Sequence, residues 1–159
     1  MGKGGKNMRQ EMLIGQYEGR VDEKGRTALP KKFRAILGDK LIVTLGYENS
    51  LIVVSEQNWK QLLEGTEGRP FIDSATRETQ RFLLGGASPV ELDDKGRFVL
   101  PSYLREFGQV KEDVVFLGLS KYIEIWDKKR WEEYRAGLEK NIATISQRLA
   151  NEEKSDGNE

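Results

Sequence analysis

Short runs of apolar and β-branched residues recur along this chain, and turns that contain glycine separate them. Runs of this kind predict strands. The predicted strands are 14–21, 26–29, 40–45, 50–54, 88–92, 97–100, 113–117 and 122–126. Helices are predicted at 31–37, 56–65, 74–84, 102–107 and 128–150. The pattern therefore predicts a mainly β chain with short helices (an α+β fold) and one longer C-terminal helix.

Two segments of the chain are copies of each other. Residues 22–34 read DEKGRTALPKKFR and residues 93–105 read DDKGRFVLPSYLR, which gives seven identities in thirteen positions. With one inserted residue, the similarity continues through the next strands and aligns Trp59 with Trp131. Because a fixed internal period marks a repeated structural unit, we interpret the chain as a tandem repeat.

The repeat predicts the domain organisation. The predicted parts are a first unit at 12–64, a connecting loop and helix at 65–86, a second unit at 87–131 and a C-terminal helix at 132–150. The end segments 1–11 and 151–159 are expected to be flexible tails, the latter because it is short and strongly charged.

Each copy carries the motif Asp-x-Lys-Gly-Arg at a predicted turn between its first two strands. Gly25 can adopt the positive φ of a tight turn. Asp22 and Arg26 can form a cross-strand ion pair that stabilises this turn. Alternatively, Asp22 orients the guanidinium while Lys24 and Arg26 contact nucleic acid. The equivalent residues of the second copy are Asp93, Lys95, Gly96 and Arg97.

Local charge distinguishes the two copies. The window 20–34 has six basic and two acidic residues, whereas the window 91–105 has three of each. Since affinity for DNA grows with the number of phosphates neutralised, the first copy is expected to dominate DNA contact. The candidate DNA-binding residues are Arg20, Lys24, Arg26, Lys31, Lys32, Arg34, Lys95 and Arg97.

Composition narrows the possible chemistry. The 159 residues include no histidine and no cysteine, which excludes imidazole-based catalysis and zinc sites that need Cys or His ligands. We expect no enzyme activity, no cofactor, no metal and no small-molecule substrate. No apolar run is long enough to span a membrane, and we expect a cytoplasmic protein. The 26 basic residues balance 26 acidic ones, so any DNA binding must depend on where the charges lie.

The doubled motif, DEKGR and DDKGR, resembles that of the MraZ family of bacterial transcriptional regulators. The Leu-Pro before each short helix, Arg77 with Arg81-Phe82, and the sequence IEIW at 123–126 are similar too. The resemblance implies two AbrB-like swapped-hairpin units in one pseudo-two-fold β-barrel. It also implies DNA contact by the hairpin arginines, a homo-oligomeric ring and association with the nucleoid. The implied targets are short repeated boxes at the division and cell-wall gene cluster, including the protein's own promoter.

Two other interpretations stay open at this point. An antitoxin-like or assembly module would bind a protein through the same fold. A carboxylate-dependent enzyme would contain a pocket whose acids have raised pKa values. Arg77 and Arg81 lie on one helix face and could be ion-pair partners, interface residues or phosphate contacts.

Overall fold

A computed structural model describes residues 12–64 and 68–157 of the chain. The described residues divide into two compact units at the bond between Lys128 and Lys129. The predicted N-terminal tail, 1–11, lies outside the described residues, as do 158–159 at the other end.

The described ranges contain eight strands and five α-helices. The strands are β1 Leu13–Arg20, β2 Arg26–Ala28, β3 Lys40–Leu45, β4 Leu51–Ser55, β5 Ser88–Glu91, β6 Arg97–Val99, β7 Asp113–Ser120 and β8 Ile123–Asp127. The helices are α1 Lys31–Leu37, α2 Glu56–Leu62, α3 Ser74–Leu83, α4 Ser102–Phe107 and α5 Lys128–Asp156. The prediction of a mainly β chain with short helices and one long C-terminal helix is confirmed.

Six strands form one antiparallel sheet in the order β1-β7-β8-β4-β3-β5. The hairpins β3–β4 and β7–β8 lie at its centre. At one edge β1 of the first repeat lies next to β7 of the second, and at the other edge β5 of the second repeat lies next to β3 of the first. Thus β1 pairs with β7 along its full length, and β5 pairs with β3. The two repeats are therefore interleaved. Within the described residues the ladder ends at β1 and β5, so a closed barrel is not shown.

The remaining two strands form a short ribbon, because β2 pairs with its own repeat equivalent, β6. The centre of this ribbon places Thr27 opposite Phe98 and relates the two copies by an approximate two-fold axis. The expectation that each motif joins two paired strands of one hairpin is wrong in this respect. The turn exists, but β1 and β2 diverge after it because each takes its hydrogen-bond partner from the other repeat.

The core is shared by both repeats. Repeat-equivalent side chains enter it together: Leu29 and Leu100 are buried, and so are Phe33 of α1 and Leu104 of α4. Phe33 also meets Tyr17 of β1 edge to face, with ring centroids 4.9 Å apart. Since each such side chain contributes about 1.5–3 kcal/mol when buried, this core holds the ribbon and its turns against the large sheet.

The helix α5 is described as a unit by itself. It continues to Asp156, past the predicted end near residue 150. Its exposed large apolar side chains are Tyr134, Ile142, Ile145 and Leu149. On the same helix, Arg135 Nε lies 3.1 Å from Glu139 Oε1. In the described part of the chain, no helix is both long and apolar enough to cross a membrane.

Candidate nucleic-acid interface

The first motif forms a compact turn around the carboxylate of Asp22. Its Oδ1 accepts hydrogen bonds from the backbone N–H groups of Lys24 and Arg26, each at 2.9 Å. Its Oδ2 lies 2.8 Å from Arg26 Nε, which donates to it. The backbone closes the turn, since Asp22 N–H donates to the Arg26 carbonyl at 3.0 Å and Gly25 N–H donates to the Asp22 carbonyl at 2.9 Å.

The second motif repeats this arrangement atom for atom. Asp93 Oδ1 accepts from the N–H groups of Lys95 and Arg97 at 2.9 Å each, and Asp93 Oδ2 accepts from Arg97 Nε at 2.9 Å. The ion pair expected from the spacing is present in both copies. Asp22 and Asp93 therefore organise the backbone of their turns in addition to pairing with the arginines.

The electrostatics of both turns favour an ionised carboxylate. The N–H of Arg26 and then its side chain lower the pKa of Asp22 below its usual value. For Asp93, the backbone N–H of Arg97 is the largest cause of a lowered pKa. Each carboxylate consequently remains charged at neutral pH and holds the Nε edge of its arginine. The arginine side chains remain 50% and 45% exposed, so part of each is accessible from solvent.

The ribbon places the two arginines on one surface. Arg26 stands opposite Val99 and Arg97 stands opposite Ala28, and all four residues are exposed. Residues placed diagonally on one face of an antiparallel pair lie about 7–8 Å apart. Arg26 and Arg97 are in this diagonal position, so the structure brings them together. We call this exposed face, with the turns 22–26 and 93–97, the ribbon face.

Guanidinium groups oriented in this way match two features of DNA. Arginine binds phosphate or the edge of guanine through two parallel hydrogen bonds. Lys24 and Lys95 use their backbone N–H groups within the turns, while their side chains are exposed. The ribbon face can therefore bind a polyanion with two arginines and two lysines.

Comparison with known proteins finds relatives that this chain matches over nearly all of their length. The family model described as "MraZ protein, putative antitoxin-like" matches twice, at residues 12–82 and 83–152. The chain belongs to the MraZ family. The resemblance predicted from the doubled motif is confirmed.

Individual relatives in the MraZ family match nearly end to end. The transcriptional regulator MraZ of Caldanaerobacter subterraneus subsp. tengcongensis is 41% identical over 140 residues, covering 88% of this chain and 98% of that protein. That of Thermoanaerobacter pseudethanolicus is 40% identical over 138 residues, covering 87% and 96%. That of Acetivibrio thermocellus is 38% identical over 139 residues, covering 87% and 97%.

Other predicted contact residues of this MraZ-family chain lie beside the ribbon face or away from it. Lys31 and Lys32 are exposed at the start of α1. Arg20, at the end of β1, pairs with Glu112 and also lies 3.7 Å from Asp113 through its Nε. Any contact of Arg20 with DNA would have to compete with these two carboxylates.

Arg34 lies at the second turn, although the sequence assigns it to the first unit. Its Nη2 donates to the Asp94 carbonyl at 3.1 Å. Its repeat equivalent, Arg105, lies against the first turn, where a Cβ on Gly25 would be 3.0 Å from the Arg105 guanidinium carbon. Sequence reasoning did not select Arg105, although the signal was available: arginine occupies this position in both copies of the repeat.

The connecting segment covers part of the second repeat. Tyr103, which occupies the position of Lys32, donates its hydroxyl to the Gly86 carbonyl at 2.9 Å. The ring of Phe82 in α3 packs against Phe107 of α4 with centroids 5.8 Å apart. Arg77 is engaged locally, since its Nη1 donates to the Phe71 carbonyl at 2.8 Å. This backbone contact is none of the three roles left open for Arg77, which stay predictions.

Proposed function

We propose that this chain is a sequence-specific transcription regulator that binds double-stranded DNA through the ribbon face. The observation that carries the proposal is the diagonal placement of Arg26 and Arg97 on one exposed surface, each held by an ionised aspartate. The relatives named transcriptional regulators support it from a separate direction. A preorganised guanidinium loses less conformational entropy when it binds than a freely rotating one.

In this proposal the arginines and lysines of the ribbon face contact DNA in different ways. Arg26 and Arg97 contact base edges or phosphates in a bidentate manner. Lys24 and Lys95 neutralise phosphates beside them. The exposed cations of the first repeat extend the contact along the DNA backbone and make this repeat dominant. They are Arg20 before the first turn, and Lys31 and Lys32 on α1, the helix whose Arg34 reaches the second turn.

We further propose that several copies assemble into a ring and engage short repeated DNA boxes at once. A chain without net charge gains little from long-range attraction to DNA. Linked binding sites raise overall affinity by roughly 10²–10⁴ without new contacts, which would compensate for a small basic surface. The proposed targets are the division and cell-wall gene cluster and the protein's own promoter within it.

Titration of the purified protein against a DNA fragment from upstream of its own gene tests this function. Fluorescence anisotropy should show tighter binding to this fragment than to a shuffled fragment of equal composition. The affinity should fall steeply with salt, because each phosphate contact releases a counterion. A variant with Arg26→Ala and Arg97→Ala should lose the preference, whereas Lys140→Ala, on the exposed face of α5, should keep it. Equal affinity for both fragments in the unmodified protein would contradict the proposal.

A further inference from the structure

The contact between α1 and the second turn crosses from one repeat to the other. Arg34 lies in α1 of the first repeat, and its Nη2 donates to the carbonyl of Asp94 at 3.1 Å. A Cβ placed on Gly96 would lie 2.7 Å from Arg34 Nη1 and 2.8 Å from its Cδ. The arginine side chain therefore fills the space that the missing side chain of Gly96 leaves above the turn.

The reciprocal contact joins α4 to the first turn. Arg105 Nε donates to the Leu100 carbonyl at 3.0 Å. The same guanidinium packs over Gly25, whose own carbonyl accepts a hydrogen bond from Leu100 N–H at 2.7 Å. Arg105 is thus fixed at the end of the ribbon that adjoins Gly25, where the first turn ends. Arg34 and Arg105 are both half-buried.

We propose that Arg34 and Arg105 are positioning residues, each of which holds the Asp-x-Lys-Gly-Arg turn of the other repeat in place. A flat guanidinium can pack closely on a glycine while its N–H groups donate to nearby carbonyl oxygens. Lysine keeps the charge but has neither the planar group nor the fixed donors. Each turn of the ribbon face is consequently built from both repeats.

Hydrogen exchange measured by mass spectrometry on the full-length protein tests, without any DNA, whether each arginine stabilises the turn of the other repeat. Arg34→Lys should raise the exchange rate in peptides covering 93–97 by roughly threefold to tenfold, through loss of a charge-assisted hydrogen bond, and should leave 22–26 unchanged. Arg105→Lys should do the reverse, so each variant is the control for the other. An effect of Arg34→Lys on 22–26 instead of 93–97, or on neither, would overturn the proposal.

The effect on DNA binding rests on the proposed function and uses double-mutant cycles on the upstream fragment. Arg34→Lys and Arg97→Ala should be non-additive, because a turn that has lost its contacting arginine no longer benefits from being held. Arg34→Lys and Arg26→Ala should be additive to within about twofold. The reverse holds for Arg105→Lys, which should couple to Arg26→Ala. Additivity of Arg34→Lys with Arg97→Ala would refute the positioning role in DNA binding.

The two arms separate failure of this inference from failure of the proposed function. If each lysine variant alters exchange in the turn of the other repeat but the protein has no preference for its upstream DNA, the positioning role stands and the proposed function fails. If the protein prefers its upstream DNA but the exchange effects do not fall on the turn of the other repeat, the proposed function stands and the positioning role fails. Circular dichroism of both lysine variants establishes that the fold is retained before either comparison is made.

Discussion

The two Asp-x-Lys-Gly-Arg turns have the same internal hydrogen bonds but different surroundings. In both, one carboxylate oxygen accepts two backbone N–H groups and the other accepts the arginine Nε, with distances that agree to 0.1 Å. The local geometry is therefore a property of the five-residue motif. Differences between the turns must come from the elements around them.

Two features distinguish the surroundings of the turns. The helix α1, whose Arg34 contacts the second turn, begins with the exposed Lys31 and Lys32. The helix α4, whose Arg105 packs on the first turn, begins with Ser102 and with Tyr103, which bonds to the connecting segment. The atoms nearest to a Cβ on Gly25 include the Leu100 carbonyl oxygen, whereas the three nearest to a Cβ on Gly96 all belong to the Arg34 side chain. The two copies therefore share one turn geometry, while the helices packed against the turns differ: α1 presents exposed lysines and α4 is bonded to the connecting segment.

The largest expected difference concerns the glycines. Gly25 has φ +87° and a Cβ there would lie 2.8 Å from the Leu100 carbonyl oxygen, which belongs to the backbone. Gly96 has φ +74°, but its nearest atoms belong to the Arg34 side chain, which can rotate away. The left-handed conformation alone costs alanine about 1–2 kcal/mol. We expect Gly25→Ala to lower the free energy of unfolding by about 2–4 kcal/mol and Gly96→Ala by about 1–2 kcal/mol.

Urea unfolding followed by tryptophan fluorescence, at one protein concentration, measures both values. Gly137→Ala is the matched control, because it lies within α5 and a Cβ there meets nothing within 4 Å. Alanine in a helix interior should stabilise by up to about 1 kcal/mol. Equal losses at the two turns would show that the Leu100 carbonyl can move and that the surroundings of the turns are equivalent.

The next difference concerns the arginines of the ribbon face. Arg26→Ala should weaken binding to the upstream fragment by about 1–3 kcal/mol, the worth of a bidentate contact. The charge of the sequence around each motif predicts a smaller loss for Arg97→Ala, because residues 20–34 include six basic and two acidic residues and residues 91–105 include three of each. Anisotropy titrations at two salt concentrations give both losses. Equal losses at Arg26 and Arg97 would contradict the predicted difference between the two copies.

Removal of Lys31 and Lys32 together should reduce the salt dependence of DNA binding without abolishing the preference for the upstream fragment.

Much of the fold follows from local signals in the sequence. The apolar runs predicted the strands, and a glycine after an aspartate predicted each turn, because such features depend on neighbouring residues only. The helix α5 ends six residues later than predicted, at Asp156. The residues after Ala150 are mostly charged or polar but compatible with a helix, and the helix ends just before Gly157.

Pairing between repeats could not be predicted in the same way. Two copies of one unit offer equivalent strand edges, so a local pattern cannot decide whether β1 pairs within its own unit or with β7. This ambiguity placed Arg34 at the wrong turn and left Arg105 unselected. It also concealed the partners of Arg20, whose register neighbour in β7 is Asp113.

The smallest expected effect is electrostatic and tests whether the turns are independent. Hydrogen bonds from the Arg26 backbone and side chain lower the pKa of Asp22 below 3.8, and those from Arg97 do the same for Asp93. A carboxyl whose pKa is lower in the folded state stabilises the fold above its unfolded pKa and loses that contribution as pH falls through the folded pKa. Both turns should therefore be ordered at pH 7 and loosen only below about pH 4.

Carboxyl carbon chemical shifts recorded against pH give the two midpoints directly. Arg26→Ala should raise the midpoint of Asp22 only partly, because the backbone N–H of residue 26, the larger cause of the shift, remains. Asp93 should be unaffected and serves as the internal control. If both midpoints move together, the two turns titrate as one coupled surface, and the diagonal neighbours Arg26 and Arg97 act on each other's carboxylates as strongly as on their own.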